Sequence, residues 1–456
     1  VAVGCGGGSD PVPATTTTST TTSAPPETTS TTTSSTTSTT TTSTTSTTSS
    51  TTTSTSTTSS TTTSSTTTSE PPTTTGSVLP ASWQGVTPTE LHVGLLLDST
   101  DPMGEGLFEA FVRAQNDRGG IRGRQVVLHV AGYNPYRADS TDAACTTLLE
   151  EAGIFLVIMD RADEDAVRCV SERYGAPVVA RSGLDAGLDA DLGGLLVTVE
   201  MDPDDARILG LTALVRRGDL DDLRLGTFWT GTTSVFQDRV RELVEEFTLD
   251  LASEATFETQ HADINQLDAP LRDQFGADGV DVVLVLEDAG NHAIALERVG
   301  SVVELIITDP EAVDPGFPGG AGLSTFVGGQ VSALTMNVPR AEESVADPSV
   351  QRCVDEWVAL EEDAAIASDT RLDAMHACQV FRMAMKLLEG SGDELTPATF
   401  IAAVESIGSF SLPGLGEASL GPGKHGAGDL LRRFAYDPDL GHLVAIGETI
   451  SATGLR

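Results

Sequence analysis

The stretch LHVGLLLDSTDPMGEGLFEAFVRAQNDRGGIRGRQVVLHV, residues 91–130, decides how the rest of the chain is read. Leu91–Leu97 reads as a continuous apolar strand, the pattern of a strand covered on both faces. Asp98-Ser99-Thr100-Asp101-Pro102 then supplies a loop rich in helix-capping residues. Gly106–Asp117 carries a helical apolar period that closes at Gly119-Gly120, and Gln125–Val130 is a second strand. Strand, helix and strand in close succession predict a parallel α/β unit.

The rhythm continues outward from that unit. A helix is expected over Asp142–Glu151, a strand at Phe155–Met159, a helix over Glu164–Tyr174 and a strand at Pro177–Ala180. After Leu196–Val199 the pattern restarts. Asp202-Pro203-Asp204-Asp205 opens a helix through Arg216, followed by strands at Leu223–Trp229, Ala255–Thr259, Val280–Leu286 and Val303–Thr308. Helices are expected between them at Val235–Phe247, Leu267–Phe275 and Asn291–Val299. An extended segment, Val331–Val338, precedes helices at Val350–Glu362, Leu372–Glu389 and Pro397–Ser406. A closing hairpin is expected from Phe434–Asp437 and His442–Ile446. The globular part, about 370 residues, exceeds the roughly 250–300 at which a single core stops growing, so two lobes are expected. Helices that remain after the second lobe imply that the chain crosses back to the first. The division expected is 89–201 plus 335–435 for lobe one and 202–334 plus 436–456 for lobe two.

The N-terminal part is different in kind. From Ala14 to Gly76 the chain is almost wholly Thr and Ser, with little apolar surface to offset the entropy of ordering. Residues 14–88 are therefore read as a disordered spacer. As a flexible coil, about 60 residues span roughly 45 Å, and dense Thr/Ser with Pro suits O-glycosylation. Residues 1–13 open Val1-Ala2-Val3-Gly4-Cys5-Gly6, a small residue before Cys with apolar residues ahead of it. This is similar to the lipobox of bacterial lipoproteins, although Ala2 stands where Leu is usual. It implies the remnant of a signal peptide and lipidation of Cys5.

The full chain of 456 residues has 26 Lys+Arg against 66 Asp+Glu and a formal net charge of −40. Its only lysines are Lys386 and Lys424. Phosphate backbones attract basic patches, so a nucleic-acid partner is excluded, and an anionic membrane surface is disfavoured as a direct partner. No run of 18 or more apolar residues exists, so no spanning helix is expected and the membrane is reached only through a lipid anchor. Apart from Cys5 there are four cysteines, Cys145, Cys169, Cys353 and Cys378. They allow three connectivities. The local pairs are favoured because each falls on consecutive helices, and exported proteins live where disulfides persist.

Four segments resemble the branched-chain amino-acid-binding proteins of ABC importers, the type I periplasmic binding family. They are Val93–Gly104, Ala114–Arg124 with its Asn116…Gly119-Gly120-Ile121…Gly123-Arg124 pattern, Ala176–Val179 and Gly279–Val285. The cysteine pairs look like those of actinobacterial members, and Arg used almost to the exclusion of Lys fits a GC-rich genome. The resemblance covers about Glu90 to Ile446. It implies two doubly wound Rossmann-like lobes joined by a three-crossover hinge, with ligand held in the cleft. Carried over residue by residue, it nominates Ser99 and Thr100 in the first loop, Arg161 after the third strand, and Ser182 and Gly183 after the fourth. In lobe two it nominates Trp229, Ser234, Glu287 and Asn291. The sequence departs from the family at Asp101, at Asp160–Glu164, where no hydroxyl is offered, and at Thr230–Ser234. In the second of these loops Arg161 suits a carboxylate, whereas the acidic residues suit a cation.

The function implied is a lipid-anchored solute-binding protein on the outer face of the cell membrane. It would be monomeric, taking an amino-acid-like metabolite to an ABC permease. A ligand-sensing receptor and a non-transporting binding-fold glycoprotein are the alternatives. Neither a cofactor nor a metal is expected, because no H-x-x-x-H pair exists and the cysteines lack zinc spacing. Gly421-Pro422-Gly423-Lys424-His425 fails as a phosphate loop, since Ala418 stands where the first Gly belongs. No G-x-S-x-G elbow or complete dinucleotide fingerprint is present, and the chain is read as not an enzyme.

Overall fold

The computed structural model describes residues 79–98, 104–134, 137–182, 186–230, 234–257, 268–286, 298, 304–308, 331–336, 347–360, 368–437 and 442–456. The first sheet is parallel throughout, in the order β2-β1-β3-β4-β5. Its strands are β1 (Glu90–Asp98), β2 (Gln125–Tyr133), β3 (Leu156–Arg161), β4 (Val178–Ser182) and β5 (Leu196–Thr198). The central strands are the apolar runs of the sequence, and Val93, Leu95, Val157, Ile158, Val178 and Val179 are fully buried.

Helix α1 (Glu105–Asp117) buries Leu107, Phe108, Phe111, Val112 and Gln115 as one stripe against this sheet. The Gly119-Gly120 turn that ends it is obligatory. Gly120 has φ +71°, and a Cβ there would lie 1.8 Å from the carbonyl oxygen of Arg124. Asn116 pins the start of β2 twice, donating to Val126 O at 2.9 Å and accepting from Val126 N at 2.7 Å. Arg124 is fully buried and donates to the carbonyls of Thr87, Pro80 and Asp393 at 2.8–2.9 Å. The most specific motif of the sequence is therefore a structural clasp.

Helices α2 (Ala138–Thr146) and α3 (Glu164–Val167) continue as wider, π-type turns over Thr147–Glu151 and Arg168–Arg173. Cys145 and Cys169 are bonded across them, with Cα atoms 6.5 Å apart. A short helix not expected from the sequence, α4 (Ala186–Leu192), follows β4.

The second sheet runs β14-β13-β10-β9-β8-β6-β7. Its parallel strands are β6 (Arg224–Thr230), β7 (Asp250–Phe257), β8 (Val282–Val285), β9 (Glu304–Ile307) and β10 (Val331–Met336). β13 (Leu430–Asp437) and β14 (His442–Ser451) add antiparallel. Helix α5 (Pro203–Arg216) packs so closely on β10 that a Cβ on Gly210 would lie 2.3 Å from Leu334 O. Helices α6 (Ser234–Glu246) and α7 (Phe275–Asp278) flank the sheet. The expected helix at Asn291–Val299 lies outside the described residues, apart from Arg298.

Three expectations are corrected. β7 begins at Asp250 rather than Ala255, because an edge strand accepts polar positions: Ser253 is bonded to Asp278 Oδ2 at 2.6 Å. The boundaries drawn at residues 335 and 435 cut through β10 and β13. Both strands lie wholly in the second sheet, where Leu334 and Leu431 share one apolar cluster with Ala452. The closing hairpin is longer than expected for the same reason.

Between these strands the chain does return to the first lobe. Helices α8 (Pro348–Val358), α9 (Ser368–Gly390) and α10 (Pro397–Ser406) put Val354, Phe381, Leu387 and Phe400 into one core with Leu91 and Phe111. The second disulfide, Cys353–Cys378, ties α8 to α9 with Cα atoms 6.0 Å apart. An unforeseen hairpin, β11 (Gly408–Leu412) and β12 (Gly416–Leu420), leads to the last crossover.

Candidate functional site

In an open parallel sheet, ligands meet the carboxyl ends of the strands, where loops and helix N-termini converge. In the first lobe that edge carries Asp98 from β1, Tyr133 from β2, Asp160 and Arg161 from β3, and Arg181 and Ser182 from β4. Glu200 stands just beyond β5, on the way to the second lobe.

Arg181 is clamped by two carboxylates. Its Nε and Nη2 donate to Asp160 Oδ1 and Oδ2 at 2.5 and 3.3 Å, and its Nη1 donates to Glu200 Oε1 at 2.5 Å. All three side chains are only 17–18 % exposed. β3 and β4 pair in parallel register there, so Asp160 and Arg181 project from the same face. His376 of α9 stands beside the clamp. Burial, together with the Arg181 charge, pushes its pKa down to about 3, so the ring is neutral at ordinary pH.

The other acidic residues of the loop after β3 have structural partners. Asp163 caps α3, accepting from Ala166 N at 3.0 Å, and burial raises its pKa. Glu164 accepts from Arg168 at 2.9 Å. Arg161 is exposed at the end of β3, level with Ser182 in the strand register. Ser182 Oγ is buried and has no hydrogen-bond partner among the described residues.

In the second lobe Trp229 is 2 % exposed, and its indole N–H donates to Glu254 Oε2 at 2.5 Å. Arg241 covers the ring at 5.2 Å. The ring thus belongs to the packing between β6, β7 and α6. Ser234 is the first residue of α6. Ser99, Thr100, Gly183, Glu287, Asn291 and Cys5 lie outside the described residues. Of the nominated ligand contacts, the structure brings Arg161 and Ser182 together. Arg181, Asp160 and Glu200 were not nominated. The pairing of acid and arginine on neighbouring strand ends was the available signal.

A second feature lies where the chain passes between the lobes. Thr198 N donates to His425 O at 2.9 Å and Ala427 N donates to Thr198 O at 2.8 Å, so two crossovers run hydrogen-bonded side by side. Gly426 allows this, since a Cβ there would lie 2.7 Å from Asp202 N. Beside them is a cavity of about 250 Å³ lined by Asp189, Asp202, Asp205, Arg239, Lys424 and His425 among others.

Asp202 caps α5, accepting from Asp204 N at 2.8 Å and Asp205 N at 3.1 Å. Burial pushes its pKa up to about 7 despite those bonds, with the charges of Asp204 and Asp205 adding to the rise. Lys424 is bonded to the carbonyls of Ser419 and Ala427 and lies 3.3 Å from Asp429 Oδ1. Burial lowers it to about 8. His425 Nδ1 is 2.7 Å from Asp189 Oδ1, and Arg239 reaches Asp205 at 3.2 Å. The Gly421–His425 stretch thus forms a tight crossover turn, closed by a bridge between Gly421 and Lys424. Among the described residues no three His, Cys, Asp or Glu side chains are placed to hold a metal ion, and no helix is long and apolar enough to cross a membrane.

No protein-family model and no curated protein matches the chain. Solved structures do. An ABC transporter substrate-binding protein from Desulfitobacterium hafniense, solved with leucine, is 16 % identical with a TM-score of 0.55. The match covers 78 % of this chain and 100 % of that one. A solute-binding protein of an ABC transporter from R. palustris, solved with 4-hydroxybenzoate, is 12 % identical with a TM-score of 0.55, covering 79 % and 97 %. A fatty acid ABC transporter substrate-binding protein from Thermomonospora curvata is 14 % identical with a TM-score of 0.54, covering 81 % and 94 %. Two wound α/β lobes, entered in turn and joined by paired crossovers, give this chain the fold of the ABC transporter substrate-binding proteins, the type I periplasmic binding fold.

Proposed function

We propose that the chain is an extracytoplasmic solute-binding protein that captures a small polar metabolite between its lobes and presents it to an ABC permease. It works as a monomer, held to the outer face of the cell membrane by lipid on Cys5 and spaced from it by the Thr/Ser tract. The observation that carries this reading is the pair of wound sheets whose connection passes through hydrogen-bonded crossovers. That is the architecture of hinge closure around a ligand. The structural neighbours named for leucine, 4-hydroxybenzoate and fatty acid binding support it. Binding without chemistry is sufficient for such a role.

The clamped Arg181 and the inward-packed Trp229 favour a second reading at the level of ligand handling. A sensor or non-transporting receptor uses the same fold with a differently furnished cleft.

A thermal-shift scan of the protein against amino acids, carboxylic acids, amides and amines tests the proposal. A ligand at 100 times its Kd stabilises the fold by about 2.7 kcal/mol. The hit is expected to reduce the radius of gyration in solution scattering as the lobes close. A folded protein that responds to no metabolite in either measurement would overturn solute capture.

A further inference from the structure

Away from the parallel strand ends and the paired crossovers, the first lobe carries a cavity of about 340 Å³ between α8, α9 and the turn of the β11–β12 hairpin. Its walls are tied to one another. Asp347, the cap of α8, accepts from Ser349 N and Oγ at 2.7 and 2.6 Å and from Gly414 N of the hairpin turn at 3.0 Å. Gln379 of α9, almost fully buried, donates to Pro413 O of the same turn at 2.6 Å. The Cys353–Cys378 disulfide joins the two helices, with Cys353 in the cavity wall. The recess is therefore formed before a ligand arrives, which lowers the ordering cost of binding.

Two arginines line it. Arg352 is exposed and makes no hydrogen bond or ion pair among the described residues. Arg382 donates one Nη to Glu356, and its Nε and other Nη have no partner among the described residues. Glu356 is shared with Arg118, which also reaches Gln115 Oε1. Asp347 is the carboxylate in the wall, and the three donors named above occupy its two oxygens. Arg118, Arg352 and Arg382 against Asp347 and Glu356 leave a net charge of +1. Arg371 and Asp355, both bonded to Gln351, cancel one another. The recess is thus opposite in sign to a chain whose net charge is −40.

A guanidinium with unbonded N–H groups presents the planar fork that a phosphate, sulfate or carboxylate group fits. Ser411 adds an exposed hydroxyl, and Leu412 and Pro413 add apolar surface. The volume falls in the roughly 300–1,000 Å³ range of small-molecule sites, so the space takes more than a bare oxyanion.

We propose that this recess binds a small organic oxyanion, a phosphate, sulfate or carboxylate group on a body with an apolar face, with Arg352 and Arg382 as its anion-reading pair. The site is separate from the cleft assigned to the captured solute and does not depend on that assignment.

Phenyl phosphate, inorganic phosphate and benzyl alcohol divide the ligand into its parts. In calorimetric titration of the full chain, phenyl phosphate is expected to bind at least about tenfold more tightly than either of the others, and added salt is expected to weaken it. Arg352→Gln should weaken phenyl phosphate by about tenfold, and Arg352→Lys, which keeps the charge but not the fork, by less. The position of the site is read on the unmodified chain with phenylglyoxal, which labels accessible arginines, and mass spectrometry of the labelled peptides. Phenyl phosphate is expected to shield Arg352 and to leave Arg113, exposed on α1, reacting as before.

Equal shielding of Arg113 and Arg352, or unchanged affinity in Arg352→Gln, would overturn the recess as the site. Inorganic phosphate binding as tightly as phenyl phosphate would overturn the organic body, and benzyl alcohol doing so would overturn anion recognition. Absence of binding by all three would overturn the whole proposal and leave solute capture in the cleft standing.

Discussion

Arg124 shows how a residue can carry a family-like motif and yet serve only the fold. Its guanidinium satisfies three backbone carbonyls from segments distant in sequence, with no exposure to solvent. Arg124→Ala would strand those acceptors and is expected to cost about 3 kcal/mol or more in urea unfolding. Arg124→Lys should rescue little of it, because an ammonium cannot span the same fork.

Two other residues set opposite pH dependences. His376 has a folded pKa near 3 against 6.5 ordinarily, so the unfolded chain takes up the proton first, and stability falls as pH drops from 6.5 towards 3. Asp202 has a folded pKa near 7 against 3.8, so its stabilising contribution is present at low pH and is lost as pH rises through 7. His376→Gln is expected to flatten the acid limb of a stability–pH curve. Asp202→Asn, which keeps a capping oxygen, should flatten the limb up to pH 7 and leave the variant more stable than the parent at pH 8.

Elements were legible where their periodicity was clean. The buried strands β1, β3, β4 and β8 and the helices α1, α5 and α10 stand within a few residues of where the sequence puts them. Short or polar elements were not legible: α4, the β11–β12 hairpin and the first half of β7 lack a sustained apolar period. Their positions are fixed by contacts made after the chain has folded back. The disulfides were readable because each joins two helices that follow one another in the chain. They close loops of 24 and 25 residues. Replacing either pair with alanine is expected to lower stability by about 3 kcal/mol in the chain-entropy account, seen as a lower thermal midpoint.

The candidate site was less legible than the fold, for a reason visible in Trp229 and Arg181. Both residue types are common in ligand pockets, yet which one faces the cleft depends on neighbours brought in by other strands. Trp229 is turned inward by Glu254 and Arg241, while Arg181 is held at the strand ends by Asp160 and Glu200. Sequence spacing contains the strand ends but not those partners.

On the scale of the whole molecule, the hinge is a pair of crossovers bonded to each other, and Gly426 is where they come closest. Gly426→Ala would force a Cβ to within 2.7 Å of Asp202 N and 2.9 Å of Glu200 O. The crossovers must then separate, and the variant is expected to lose thermal stability and to change its radius of gyration in the absence of ligand. The same glycine with unchanged scattering after substitution would show that the crossovers do not set the spacing of the lobes.

The return of α8, α9 and α10 to the first core also bears on how the protein is made. Phe381, Leu387 and Phe400 are needed to cover Leu91 and Phe111, which are synthesised near the start of the globular part. The second sheet likewise waits for Leu431 and Ala452. Neither lobe can complete its interior until segments far along the chain, as far as Ala427 for the first and Ala452 for the second, have been synthesised. Long sequence separations of this kind slow folding. An incomplete chain therefore has no finished half to settle into, and each lobe gains its stability only when its returning segments dock.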